Sequence, residues 1–246
     1  MLLGGVSEGN ANVPAEGAGT TFVLVPGAGA DPRVYGATIE ALRELGHEGI
    51  APPLPLDDAA ATPSDHADAI VAALGDPPPA PLVVVGQSLG AYSATIAAAR
   101  LRPSRLILLA PMIPAPGESA GEWWGATGLM EAIAPLVERL GSPSEWDEAA
   151  MAEVFYHDVD EATLAANAEY EGVPSDGLFA EPLPLEAWPD VPTTVLIPRD
   201  DRLFPLEFQR RVARERLGLE IEEMEGGHLP FLSRPDELAE RLVALA

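Results

Sequence analysis

The chain has 246 residues, 47% of them hydrophobic, enough to bury one sizeable α/β core and too apolar for a solvated, disordered class. Its 39 acidic residues face 14 basic ones, all arginine, for a formal net charge of −25, a field that repels nucleic acid and anionic membrane surfaces. With no cysteine and no lysine, it has no means of making disulfides, thiolate metal sites, cysteine nucleophiles or lysine Schiff bases.

Residues 1–19 are rich in Gly and Ala and carry no hydrophobic periodicity, so they read as a disordered leader; they have neither the basic start nor the apolar centre of a signal peptide. No apolar run reaches the length of a membrane span, and a cytoplasmic protein without membrane contact is expected. From Thr21 onward, short apolar runs alternate with longer helical patterns, the signature of a mostly parallel sheet. "TFVLVP" (21–26) is the first predicted strand, "PRVYGATIEALREL" (32–45) a helix ended by Gly46, and "GIAPPL" (49–54) a short second strand. Thr62-Pro63-Ser64-Asp65 has a capping hydroxyl, a proline at the first position and an acid in the first turn, and starts a helix running to about Leu74. "PLVVVG" (81–86) is the third strand, "LGAYSATIAAARL" (89–101) the helix after it, and "RLILLAP" (105–111) the fourth strand.

The alternation then stops. Residues 112–188 hold no clear parallel strand but do hold helical stretches such as "GLMEAIAPLVERL" (128–140) and "SEWDEAAMAEVFY" (144–156), and they read as a helical lid over the carboxyl edge of the sheet. It resumes with the strand "TTVLIP" (193–198), the helix "LEFQRRVARERLG" (206–218), the strand "LEIEEM" (219–224) and the terminal helix "PDELAERLVALA" (235–246). The expected architecture is α/β: an open, mostly parallel sheet of about six strands with helices on both faces. Its core comprises 20–111 and 189–246, interrupted by the lid.

The stretch "VVVGQSLGAY" (83–92) places Ser88 between Gly86 and Gly90, where a strand turns into a helix. G-x-S-x-G alone arises by chance in roughly one glycine-rich chain of this length in ten, so its surroundings must decide. Strand, turn and helix in that order are the context in which a serine projects from a strained turn as a nucleophile. A serine hydroxyl also needs a base and an orienting carboxylate. His228 lies in the glycine-flanked loop "EGGHLPF" directly after the last strand, at the edge where open α/β sheets build their sites. Asp200 and Asp201 lie just past the fifth strand, at the same edge, and either one fits the order Ser, Asp, His. His47, His66 and His157 read as surface or packing histidines, and Asp57-Asp58 as a solvated turn rather than a metal site. No metal and no other cofactor is expected.

The stretches "FVLVPGAGA", "ALRELGH", "GQSLG", "DDRLFPLEFQ" and "GGHLPFLSRPDELAERL" together resemble the α/β-hydrolase superfamily, and more narrowly its small branch of plant methylesterases and hydroxynitrile lyases. The resemblance covers nearly everything from Thr21 to Ala246. It implies Ser88, Asp201 and His228 as catalytic triad, and the backbone amides of Ala28 and Leu89 as oxyanion hole. Many relatives have His-Gly where this chain has Pro26-Gly27. Hydroxynitrile lyases of the branch place a lysine directly after the histidine, where this chain has Leu229.

Trp123, Trp124, Met130, Phe155 and Tyr156 are candidates for lining an apolar substrate pocket beneath the lid. The two tryptophans are adjacent and point about 100° apart on a helix, so at most one faces the site. The expected activity is a serine hydrolase cleaving a neutral, apolar carboxylic ester or related acyl compound through an acyl-enzyme. A lyase or carbon–carbon bond hydrolase using the same triad, and a low-turnover receptor of the same fold, are the alternatives. A small-molecule substrate is the only partner expected. The sequence does not determine the oligomeric state.

Overall fold

A computed structural model describes residues 19–76, 81–170 and 172–246, so nearly all of the expected leader over 1–19 lies outside the described residues. The strands are β1 (Thr21–Val25), β2 (Glu48–Ile50), β3 (Leu82–Gln87), β4 (Arg105–Leu109), β5 (Thr193–Pro198) and β6 (Glu222–Met224). They form one six-stranded sheet in the order β2-β1-β3-β4-β5-β6, and every neighbouring pair is parallel. The order reverses between β1 and β3, so the carboxyl ends of these two strands open a crevice of the kind in which open α/β sheets bind ligands.

The helices flanking the sheet are α1 (Gly36–Glu44), α2 (Pro63–Leu74) and α3 (Gly90–Leu101) before the insertion. Between β4 and β5 come α4 (Ala120–Ala126), α5 (Leu129–Ala132), α6 (Ala134–Leu140), α7 (Glu148–Phe155), α8 (Glu161–Asn167) and α9 (Asp176–Ala180). After β5 come α10 (Leu206–Leu217), α11 (Pro230–Ser233) and α12 (Pro235–Leu245).

Because side chains alternate along a strand, the apolar runs feed two separate cores. Val23, Val25, Val84, Leu106, Leu108, Val195 and Ile197 pack on one face with Ile70 of α2, Ile96 of α3 and Phe208 and Val212 of α10. Phe22, Leu24, Val83, Val85, Ile107, Leu109 and Leu196 pack on the other with Leu42 of α1, Phe231 of α11 and Leu238 and Leu242 of α12. Both faces are covered, and the central strands accordingly read as continuous apolar runs rather than alternating ones.

Several boundaries differ from the sequence reading. β2 stops at Ile50, ahead of Pro52 and Pro53, which have no N–H to give to a ladder. β6 is only Glu222–Met224, a short acidic edge strand. The helix expected over 32–45 begins as a 3₁₀ turn over Pro32–Tyr35, capped by Asp31, before α1. The helix expected over 128–140 breaks at Ile133 into α5 and α6, with Pro135 in the first turn of the second piece. The Thr62 start is as read: its hydroxyl accepts from Asp65 N–H while Asp65 accepts from Thr62 N–H, a reciprocal capping box.

Arg216 of α10 ties the insertion to the sheet layer. Its guanidinium donates to Ile113 O at 2.7 Å and to both carboxylate oxygens of Glu118, and both side chains are mostly buried. Removing Arg216 leaves the Glu118 carboxylate mostly buried without its countercharge. Arg216→Ala is therefore expected to lower unfolding free energy by about 3 kcal/mol in urea titrations. Replacing both partners, Glu118→Gln with Arg216→Met, is expected to recover most of that loss.

Candidate active site

Ser88 follows β3 with φ of +50°, a left-handed backbone that costs a non-glycine residue about 1–3 kcal/mol. Hydrogen bonds on both sides hold it there. Its N–H donates to Leu109 O at 3.1 Å, and its carbonyl accepts from Met112 N–H at 3.0 Å and Ala91 N–H at 3.2 Å. The flanking glycines are required by space. A Cβ at Gly86 would meet Ala94 Cβ at 2.5 Å, and one at Gly90 would meet Pro26 O at 2.2 Å. The loop after β1 runs so close to the turn that a Cβ at Gly27 would come within 2.9 Å of Ser88 Cβ. Ala28 on this loop and Leu89, the residue before α3, line one cavity together with Ser88 and His228. The helix dipole makes the amino end of α3 partly positive.

His228 and Asp201 meet at this edge. His228 Nδ1 lies 2.7 Å from Asp201 Oδ2, and both side chains are buried. The other carboxylate oxygen, Oδ1, accepts from Leu203 N–H and Phe204 N–H, each at 2.9 Å, which fixes the rotamer. Phe155 and Phe204 set their rings nearly perpendicular to the imidazole, with centroids at 5.4 and 5.1 Å. With Nδ1 engaged by Asp201, Nε2 is the nitrogen left for proton transfer. Asp200 is exposed and, among the described residues, pairs with no arginine: Arg199 pairs with Glu223 and Glu225, and Arg202 donates to Glu153 O.

Gln87 was not singled out in the sequence, yet it joins three pieces of the site. Its Oε1 accepts from Gly27 N–H at 2.8 Å, and its Nε2 donates to His228 O at 3.2 Å. The signal available was a lone amide at the buried end of an otherwise apolar strand.

The cavity measures about 370 Å³. Among its described lining residues none is Asp, Glu or Arg; the walls are chiefly apolar, with Trp124, Phe155, Tyr156, Phe179, Phe231 and Leu232 prominent. Trp124, Phe155 and Tyr156, three of the five candidates, line this cavity. Trp123 does not: it is fully buried against Phe204 and Phe208, with its indole N–H donating to Ile113 O at 2.9 Å. Met130, on α5, also lies off the cavity, packed against the core. Both corrections share one cause: these short helices bury one side against the sheet layer, and the helical turn gives Trp124 to the cavity and Trp123 to the core.

A family model described as "Alpha/beta hydrolase family" matches residues 22–241. The chain belongs to that family. A "Probable hydrolase R7" from Phoma sp. is 26% identical over 251 residues, covering 92% of this chain and 97% of the relative. Polyneuridine aldehyde esterase shares the fold with a TM-score of 0.76 at 21% identity, covering 92% of this hydrolase-family chain and 99% of the esterase. A pyrethroid hydrolase from Sphingobium faniae JZ-2 does so with a TM-score of 0.75 at 22% identity, covering 92% and 96%. Among the described residues no helix is long and apolar enough to cross a membrane.

The close approach at Gly90 makes a sharp comparison with Gly125 in α4, where an added Cβ would meet nothing within 4 Å. Gly125→Ala is expected to stabilise by about 0.5–1 kcal/mol through helix propensity and lost chain entropy. Gly90→Ala must displace the backbone of Pro26 and is expected to destabilise by about 2 kcal/mol or more. Thermal denaturation of both variants reads the opposite signs directly.

Proposed function

We propose that the chain is a serine hydrolase that cleaves a neutral, apolar carboxylic ester through an acyl-enzyme. The observation that carries this reading is the 2.7 Å contact of His228 Nδ1 with a buried Asp201, at the wall of a cavity that Ser88 also lines. In this reading His228 Nε2 takes the proton from Ser88 Oγ as the oxygen attacks the ester carbonyl. The tetrahedral oxyanion is met by the amides of Ala28 and Leu89. The imidazolium then protonates the departing alkoxide, and water repeats the sequence on the acyl-enzyme to return the serine. Asp201 holds the tautomer and stabilises the imidazolium without taking its proton.

The walls of the cavity support this substrate class. Apolar surface rewards apolar acyl and alkoxy groups at about 25 cal/mol per Å² buried. A carboxylate would lose its hydration with no arginine among the described lining residues to replace it. The helical insertion over 112–188 acts as the lid: Trp124, Phe155 and Tyr156 reach the cavity from it. The names of the two structural relatives, an esterase and a pyrethroid hydrolase, agree with this class. Leu229, rather than a cation, follows His228 and lines the cavity, which favours hydrolysis over the lyase route of the resembling branch.

Ser88→Ala is expected to abolish both p-nitrophenyl ester turnover and labelling by a fluorophosphonate probe while leaving the melting temperature nearly unchanged. Undiminished labelling of that variant would move the nucleophile elsewhere. Asp201→Asn is expected to lower kcat by about 10³ to 10⁴, and the exposed Asp200→Asn by less than about tenfold. Equal effects at the two positions would remove Asp201 from the assignment.

A further inference from the structure

Two adjacent residues of the insertion, just past α7, touch the loops that carry the proposed acid and base. His157 Nε2 lies 3.1 Å from Asp200 O; a carbonyl only accepts, so this nitrogen carries the proton and donates. Asp158 Oδ2 accepts from Gly227 N–H at 2.7 Å. Asp200 immediately precedes Asp201 and Gly227 immediately precedes His228, so the pair grips each loop one residue upstream of its reacting side chain. The two loops are also joined to each other by Asp200 N–H, which donates to Gly226 O at 2.9 Å.

The "EGGH" glycines find their reason here. A Cβ at Gly227 would come within 2.7 Å of both Asp158 Oδ1 and His157 Nε2. At Gly226 φ is +104°, and a Cβ would meet Asp158 Oδ2 at 3.2 Å and the Arg234 side chain at 3.0 Å. The space beside the histidine loop is therefore filled by side chains of the insertion. Among the described residues Asp158 Oδ1 is buried there without a hydrogen-bond partner, a cost that the rest of the contact must offset.

We propose that Asp158, with His157 beside it, is a positioning residue that holds the Asp201 and His228 loops in catalytic register from the insertion. This rests on the hydrolase reading above. The insertion then does more than roof the cavity: its seating sets the direction in which the imidazole faces Ser88. A loop shift of about 1 Å at such a site costs on the order of 100-fold in rate, and it appears in kcat because substrate binding uses the apolar walls rather than this contact.

The test compares Asp158→Ala, Asp158→Asn and Gly227→Ala, with fluorophosphonate titration of active sites so that rates refer to folded enzyme. Asp158→Ala is expected to lower kcat by about 10- to 100-fold with KM changed less than about threefold. Asp158→Asn keeps an oxygen for Gly227 N–H and is expected to stay within about threefold of the parent. Gly227→Ala is expected to be as damaging as Asp158→Ala alone, yet nearly neutral when added to His157→Ala/Asp158→Ala, where the space has been emptied; this non-additivity is the direct signature of the contact. The far-downfield proton resonance of the His228–Asp201 pair should broaden in Asp158→Ala and persist in Asp158→Asn, a readout that needs no turnover.

An unchanged kcat per active site in Asp158→Ala, with only a lower melting temperature, overturns the proposal in favour of plain anchoring. Loss in Asp158→Asn equal to that in Asp158→Ala overturns it too, since the hydrogen bond is then not what matters. A parent enzyme that neither labels with the probe nor turns over esters is a failure of the hydrolase reading instead, and the proton resonance still reports on the clamp.

Discussion

The carbonyl of Pro26 occupies the space in which a side chain at position 90 would begin, at 2.2 Å from where its Cβ would stand. This contact between the loop after β1 and the start of α3 is the constraint on which the edge carrying the candidate site is built. It demands glycine at position 90, two residues past the left-handed Ser88, and goes with a Gly27 backbone that runs alongside the serine. The strain is local, while its restraint is spread over the ends of β3 and β4 through the hydrogen bonds of Ser88 to Leu109 and Met112. Strain of this size persists only where the surroundings over-determine it. Here they do so at the switch point of the sheet, where strand order reverses.

The charge distribution divides the molecule into two environments. The surface bears the net charge of −25, and much of its arginine is spent on local pairs, such as Arg210 with Glu223 and Arg214 with Glu220. The cavity is the reverse: among its described lining residues His228 is the only readily titratable side chain apart from the phenol of Tyr156. Low polarity around the imidazole strengthens its contact with Asp201 and with any charge that develops on a bound carbonyl. An acidic exterior and an uncharged cavity both disfavour anionic ligands, one at long range and one on contact.

The insertion contributes differently at its two ends. Its first part is bound to α10 through Glu118 and Arg216 and supplies the core with Trp123. Further along, it supplies Trp124, Phe155 and Tyr156 to the cavity and the His157-Asp158 pair to the backs of two loops. It also rests on the loop after β1, where Asp31 N–H donates to Tyr170 O at 2.8 Å and Arg33 lies over the Tyr170 ring. The loops that carry Ala28, Asp201 and His228 are thus all braced by one continuous segment.

Strand runs, helix starts and the order of Ser88, Asp201 and His228 were legible in the sequence because each rests on local chemistry. Parallel strands buried on both faces must be apolar throughout, a helix start needs its capping hydroxyl, and a tight turn needs its glycines. The preference for Asp201 over Asp200 was legible only through resemblance; what the fold adds is that Asp201 turns inward to His228 and two backbone N–H groups while Asp200 faces solvent. Tertiary structure alone decided the placement of Trp123 against Trp124, of Gln87, and of His157 and Asp158. These depend on which face of a short helix meets the sheet layer, and on contacts between residues 43 to 141 positions apart. Local patterns record what a segment can bury; what it buries against is fixed only when the sheet brings distant loops to one edge.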